Sequence, residues 1–579
     1  MFKEFALALA AALPFSNANP LPNNPYDAVC HKWPPAADGL KVDLGYGVYE
    51  GYHSSTTDLN VWQGIRFAAA PLGGRRFRAP EVPPTNRRPQ NATAAAPICP
   101  QSAPALSSPE IQQLFTLNDP QSEDCLFLNV YAPENAENLP VFVWVHGGGY
   151  ELGAMTPYDP SSLINTNKQD FVAVVIQYRL GAFGFLSSEE VRHKGALNAG
   201  LLDQQMTLQW VQKYIGLFGG DASRVTLAGE SAGAGSVMNH IIAYGGAQGD
   251  QLFSNAIAAS PFLPQYFEYD SPEVVSTYQE FAKLAGCADN HSDVFECLQA
   301  ASSEALMSAN EEIATSALVG IFEFKPVVDG ALIKQRPSQA LKGHMNGKRL
   351  LTGNNANEGY LFIPQNITTS DDVVDFLRTY FPRLTNDDIT KILDVYPTPD
   401  VPDSPSTPKF PTTGDHPPTA VNQSELAIGH QQVANAIYGE ITFVCPAYWL
   451  ASAFAKQGRD AFQYQFSVTP AFHALDILHY FPTPAFPVGA SVQTAMQNAF
   501  GAFVTGDAPP AGWPRYELRE PRMRNVNATG GTPFEALGLT FYVDPGVELD
   551  ERTVRADEWE GGRAARCEVL RGLGEVLVI

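Results

Sequence analysis

The chain has 579 residues, 45% of them hydrophobic and 17% charged, a composition that supplies a large apolar interior and excludes the apolar-poor class of disordered chains. Its formal charge of -24, from 37 Lys and Arg against 61 Asp and Glu, repels phosphate backbones and anionic bilayers at long range and argues against a nucleic-acid partner. No apolar run reaches the roughly 18 residues a transmembrane segment needs.

At the N-terminus, Lys3 precedes an apolar stretch bounded by Phe5 and Phe15, and small residues Ser16 and Ala18 stand before Asn19. This is the pattern of a secretory signal peptide over residues 1–18, and so of an extracellular protein. Five N-x-S/T sequons, at Asn91, Asn290, Asn366, Asn422 and Asn527, fit a secreted chain. So do seven cysteines. Spacing does not settle their connectivity: Cys287 with Cys297 closes a short loop, Cys99 with Cys125 a longer one. Cys445, inside the apolar ITFVCPAYWLA, reads as a buried free thiol, and Cys30 and Cys567 pair if the two termini meet.

After a Pro-rich stretch (20–36), GYGVYEGYHSS (45–55) and LNVWQGIRF (59–67) read as hairpin strands separated by polar turns. LPVFVWVHGGGY differs in kind. Val141 to Val145 are apolar on both faces, as in a central strand covered on each side, and the run stops at three glycines. FVAVVIQYRL and RVTLAGES repeat that pattern. Between them Leu201, Leu202, Met206, Leu208, Trp210, Val211, Tyr214 and Ile215 recur at helical spacing, and Gly219 and Gly220 end the helix. Strand, helix, buried strand predicts a parallel α/β sheet, extended by LFSNAIAAS, KRLLTGNN and DAFQYQFSV. The Pro-, Ser- and Thr-rich 397–420 reads as an exposed insertion within one domain.

Gly229, Glu230, Ser231, Ala232 and Gly233 form G-x-S-x-G, a sharp strand-to-helix turn that exposes a nucleophilic serine. A buried strand precedes it and AGSVMNHII, able to form a helix, follows. Earlier in the chain HGGGY (146–150) has the glycines that let backbone N–H groups point at a substrate oxygen.

With these motifs in this order, the sequence resembles the type-B carboxylesterase family, which contains cholinesterases and secreted fungal esterases and lipases. Further landmarks are GIRFAAAPLGGRRFRAP (64–80), SEDCLFLNVY (122–131), YRLGAFGFL (178–186), FKPVVDG (324–330), TGNNANEG (352–359) and FHALDILHYF (472–481). The resemblance implies an α/β-hydrolase fold, with a large, mostly parallel central sheet flanked by helices and long loop insertions, in one catalytic domain over 19–579. It implies a serine carboxylesterase working through an acyl-enzyme on a small-molecule or lipid ester. By the same resemblance Glu358 is the triad acid, His473 the base, and the N–H groups of Gly148, Gly149 and Ala232 the oxyanion donors. Cys99 with Cys125 and Cys287 with Cys297 fit the family's two disulfides, and Cys30 and Cys567 lie outside that pattern.

Position agrees with these assignments, because in this fold the acid follows a strand and comes between serine and histidine. Glu358 does so, whereas Asp329 in VVDGALI reads as a tight-turn residue. His479 competes with His473 for the base. Glu230 reads as a buried carboxylate bonded within the turn, beside the role near a substrate's cationic group that the resemblance to cholinesterases implies for its position. There is no H-E-x-x-H, no clustered metal-ligand spacing and no complete phosphate loop, so neither metal nor other cofactor is expected. Two other readings stand beside the esterase. One is a true lipase, with the modestly apolar loop 100–124 in the lid position; the other is a catalytically silent binding module, a class that usually lacks a triad member.

Overall fold

The computed structural model describes residues 40–107, 117, 119–288, 293–396, 409–483, 486–506 and 512–579. The signal-peptide reading, Cys30, the Asn290 sequon and parts of the 100–124 and 397–420 loops therefore lie outside the described residues.

The strands are β1 (Lys41–Asp43), β2 (Gly47–Glu50), β3 (Tyr52–Ser54), β4 (Leu59–Arg66), β5 (Asn86–Asn91), β6 (Phe127–Pro133), β7 (Leu139–Val145), β8 (Val172–Ile176), β9 (Gly220–Glu230), β10 (Asn255–Ala259), β11 (Arg349–Asn355), β12 (Asp460–Phe466), β13 (Arg522–Ala536) and β14 (Leu539–Arg555). β1, β2 and β5 make a small sheet; the rest form one eleven-stranded sheet ordered β14-β13-β12-β11-β10-β9-β7-β8-β6-β4-β3. Every neighbouring pair from β8 through β13 is parallel, while β6, β4 and β3 on one flank and β14 on the other run antiparallel.

The burial pattern explains the division. Val141 to Val145 and Val172 to Ile176 are wholly inaccessible, as a parallel strand covered by helices on both faces must be. Helix Ala199–Tyr214 is the crossover between β8 and β9, and it turns Leu201, Leu208, Trp210 and Val211 inward. The hairpin of β13 and β14 has no counterpart in the sequence reading. Its Gly-, Asn- and Pro-containing, half-exposed strands carry only a weak alternation, and the ladder between them defines them instead.

Cys99–Cys125 and Cys287–Cys297 are disulfides, as the family resemblance implies. The free-thiol reading of Cys445 is overturned. Cys445 is bonded to Cys567, with Cα atoms 5.1 Å apart, because helix Trp559–Gly572 packs against helix Cys445–Lys456. That bond also removes Cys567 as a partner for Cys30. Among the described residues no helix is long and apolar enough to cross a membrane, and no group of His, Cys, Asp and Glu is arranged to hold a metal ion.

Candidate active site

In an open parallel sheet the carboxyl ends of the strands form the crevice where ligands bind. Here β7 ends at HGGGY, β9 at Ser231, β10 at Ser260, β11 just before Glu358, and β12 a few residues before His473.

Ser231 stands between β9 and helix Ala232–Ile242 with φ 56° and ψ -124°, a conformation that costs a non-glycine residue about 1–3 kcal/mol. The turn is tolerated because its neighbours have almost no bulk. A Cβ at Gly233 would lie 2.1 Å from Val145 O at the end of the adjacent strand β7. The price of this close approach is strain at the serine, and the result is an Oγ held at the strand tip, with Ser231 N–H bonded to Ala259 O at 3.0 Å.

His473 Nε2 lies 2.8 Å from Ser231 Oγ, and His473 Nδ1 lies 2.5 Å from Glu358 Oε2. The other carboxylate oxygen, Glu358 Oε1, accepts from Ser260 Oγ at 2.6 Å and Asn355 N–H at 2.5 Å. The loops of acid and histidine are tied together: Asn357 N–H donates to Ala471 O and Asn357 Nδ2 to Pro470 O, each at 2.9 Å. The imidazole is packed between Phe443 and Phe362, with ring centroids 4.2 and 5.1 Å away. The structure therefore joins Ser231, Glu358 and His473 in one hydrogen-bonded chain. His479 is elsewhere, packed on Phe466, and burial pulls its pKa down to about 4. Asp329 is a turn residue, its Oδ1 accepting the N–H groups of Ala331 and Ile333.

Gly148 and Gly149 adopt φ of 104° and 62°, and among the described residues neither N–H has an acceptor within the chain. Ala232 opens its helix, so its N–H lacks an intrahelical partner. Gly149 also has no room for a side chain, since a Cβ would strike the Phe322 ring.

Glu230 is buried as expected, but the expected bond within the turn is absent at Oε1, which has no hydrogen-bond partner and lies 3.4 Å from His473 Nε2. Burial, then the charges of Asp476 and Glu358, push its pKa well above the usual carboxylate range. Asp476 is raised to about 6, chiefly by burial, against the opposing hydrogen bonds from Asn355 Nδ2 and Tyr464 OH. Ser260, Asn355 and the two phenylalanines escaped sequence reading. Ser260 and Asn355 had one usable signal, their position at the ends of predicted strands.

A sequence model of the Carboxylesterase family matches residues 38–532. The chain is 35% identical over 363 residues to the para-nitrobenzyl esterase of Bacillus subtilis, an alignment covering 62% of this chain and 70% of that protein. It is 29% identical over 551 residues to carboxylesterase patB of Penicillium expansum, covering 83% and 91%. It is 32% identical over 376 residues to the secreted triacylglycerol lipase LIP1 of Gibberella zeae, covering 60% of this chain and 63% of the lipase. The crystal structure of Aspergillus niger EstA is similar with a TM-score of 0.74 at 26% identity, over 93% of this chain and 99% of that one.

Proposed function

The chain belongs to the carboxylesterase family, and we propose that it is an exported serine esterase that works through an acyl-enzyme. The observation that carries this reading is the unbroken hydrogen-bond chain from Ser231 Oγ through the His473 imidazole to Glu358. His473 Nε2 takes the Ser231 proton as Oγ attacks the ester carbonyl, and returns it to the departing alcohol. Glu358, on Nδ1–H, selects the tautomer and stabilises the imidazolium. The carbonyl oxygen becomes negative in the tetrahedral intermediate and is received by the N–H groups of Gly148, Gly149 and Ala232, each worth about 3–4 kcal/mol. Water activated by the same histidine then releases the acid.

Residues 1–18 act as the export signal and 19–579 as one catalytic domain in this proposal. Three disulfides and the secreted fungal relatives support an extracellular location. The exposed Asn91 and Asn366 are the most accessible of the described sequons.

Ser231→Ala separates the enzyme from a silent binding module. It should abolish turnover of a nitrophenyl ester and stoichiometric labelling by an organophosphonate while leaving thermal unfolding unchanged; near-wild-type hydrolysis would refute the assignment. A second reading, a lipase on long-chain acylglycerols, is favoured by the similarity to LIP1. Rates across esters of increasing acyl length, below and above their solubility limits, decide between the two, because a jump at the emulsion interface marks the lipase.

A further inference from the structure

Glu440–Val444 is a single π-helical turn between helices Gly429–Gly439 and Cys445–Lys456. Such turns are rare and are frequently found at functional sites. This one touches the site at three places. Gly439, just before it, packs so closely on the acid's loop that a Cβ there would lie 2.9 Å from Gly359 N and 3.2 Å from Glu358 Cβ. Thr442 O accepts from Leu263 N–H at 2.8 Å, in the segment that follows Ser260. Phe443 sets its ring against His473.

Behind the turn, the C-terminal helix Trp559–Gly572 grips it. Glu440 Oε1 accepts from Arg566 Nη2 at 2.7 Å and Arg563 Nε at 3.2 Å, and Oε2 from Arg566 Nε at 2.8 Å and Tyr396 OH at 2.6 Å. Arg563 Nη1 also donates to Gln465 Oε1 on β12, the strand that leads to His473. Asn354 Nδ2 on β11, the strand that leads to Glu358, reaches the same oxygen at 3.4 Å. The Cys445–Cys567 bond lies directly beside the cluster. A carboxylate and two guanidiniums sealed from water cost so much desolvation that apolar packing would serve stability as well or better. What such a cluster does supply is one defined arrangement of donors and acceptors, because leaving any member unpaired is expensive. Both arginines lie beyond residue 532, where the family match ends.

We propose that Arg563 and Arg566 are positioning residues for ester hydrolysis: through Glu440 they hold the π-turn that seats Phe443 against the His473 ring, and through Gln465 Arg563 holds the strand that carries His473. This inference rests on the reading of Ser231, His473 and Glu358 as the triad. Neither guanidinium contacts a triad side chain, so the effect passes through Glu440, Gln465 and Phe443. A displacement of about 1 Å at a reacting group costs on the order of 100-fold in rate.

The test compares Arg563→Lys, Arg566→Lys and Phe443→Leu in the full chain, with a soluble nitrophenyl ester. Lysine keeps the charge and loses the planar fork; leucine leaves the charge cluster intact and removes the ring from the imidazole. Each variant should lose at least about tenfold in kcat with KM within about threefold, and should shift the acid limb of the kcat/KM profile. A role confined to stability would lower the unfolding temperature and leave the pH profile in place. Should the arginine variants fail to fold, Phe443→Leu decides alone, and an unchanged kcat and pH profile in that variant overturns the proposal whatever the others do. Folded arginine variants with wild-type kcat overturn it equally. Ser231→Ala is assayed alongside: if it still hydrolyses the ester, the triad reading has failed, whereas an inactive Ser231→Ala beside unaffected positioning variants removes only this inference.

Discussion

Glu230 Oε1 lies 3.4 Å from His473 Nε2, the same nitrogen that reaches Ser231 Oγ at 2.8 Å. Two ionised groups in that position would compete for the imidazole. Burial, and after it the neighbouring charges of Asp476 and Glu358, push the Glu230 pKa well above its usual 4.5 and so favour its neutral form beside the histidine.

The sign of the resulting stability effect follows from linkage. With its folded pKa raised above the unfolded value, Glu230 lowers stability progressively as pH rises above about 4.5. Glu230→Gln, of nearly the same shape and unable to ionise, should therefore raise the unfolding temperature at pH 8, with the gain vanishing towards pH 4. Thermal unfolding scans across that range check it, and a gain that grew on acidification would contradict the assignment.

Three buried histidines act on the acid side. Burial lowers the pKa of His146, His240 and His479 from 6.5 to about 4 each. The unfolded chain takes up their protons first as pH falls from 6.5, so stability drops through that window, by up to about 1.4 kcal/mol per pH unit for each group. His479 packs on Phe466 and takes no part in the hydrogen-bonded chain of Ser231, His473 and Glu358, so its replacement isolates the effect. Urea unfolding of His479→Gln between pH 7 and 4 should show a shallower pH slope than wild type.

Gly149 can be tested through its neighbour. Its φ is 62°, and a Cβ would overlap the Phe322 ring. If Gly149 N–H is an oxyanion donor, as proposed, Gly149→Ala should displace it and reduce kcat by about 100- to 1,000-fold. Adding Phe322→Ala relieves the collision and should restore part of the rate, the remainder reporting backbone strain. Steady-state kinetics of the two single variants and the double variant give the coupling directly.

The Cys445–Cys567 bond closes a sequence separation of 122 residues. Replacing both cysteines by alanine should lower the free energy of unfolding by about 2–5 kcal/mol, read from denaturant titration of the two proteins side by side.

Much of the fold was legible in the chain because the signals are local. Val141 to Val145, Val172 to Ile176 and Leu350 with Leu351 are apolar runs whose burial follows from being covered on both faces. Gly233 is small because the turn at Ser231 brings it against Val145 O, a constraint that shows in five consecutive residues. The hairpin of β13 and β14 was not legible, since its exposed strands are defined by each other's backbone and not by a run of apolar side chains.

The sequence by itself determined the buried parallel strands, the turn that presents Ser231, and, through motif resemblance, which carboxylate and which imidazole to pair with it. Only the tertiary structure decided what faces what across long stretches of chain: His473 beside Ser231 at a separation of 242 residues, Cys567 beside Cys445, and Glu230 turned to the imidazole with Oε1 unbonded. The physical reason is that periodicity and turn chemistry are written within a few neighbours, whereas these contacts depend on the order in which strands enter the sheet and on how helices close over its ends.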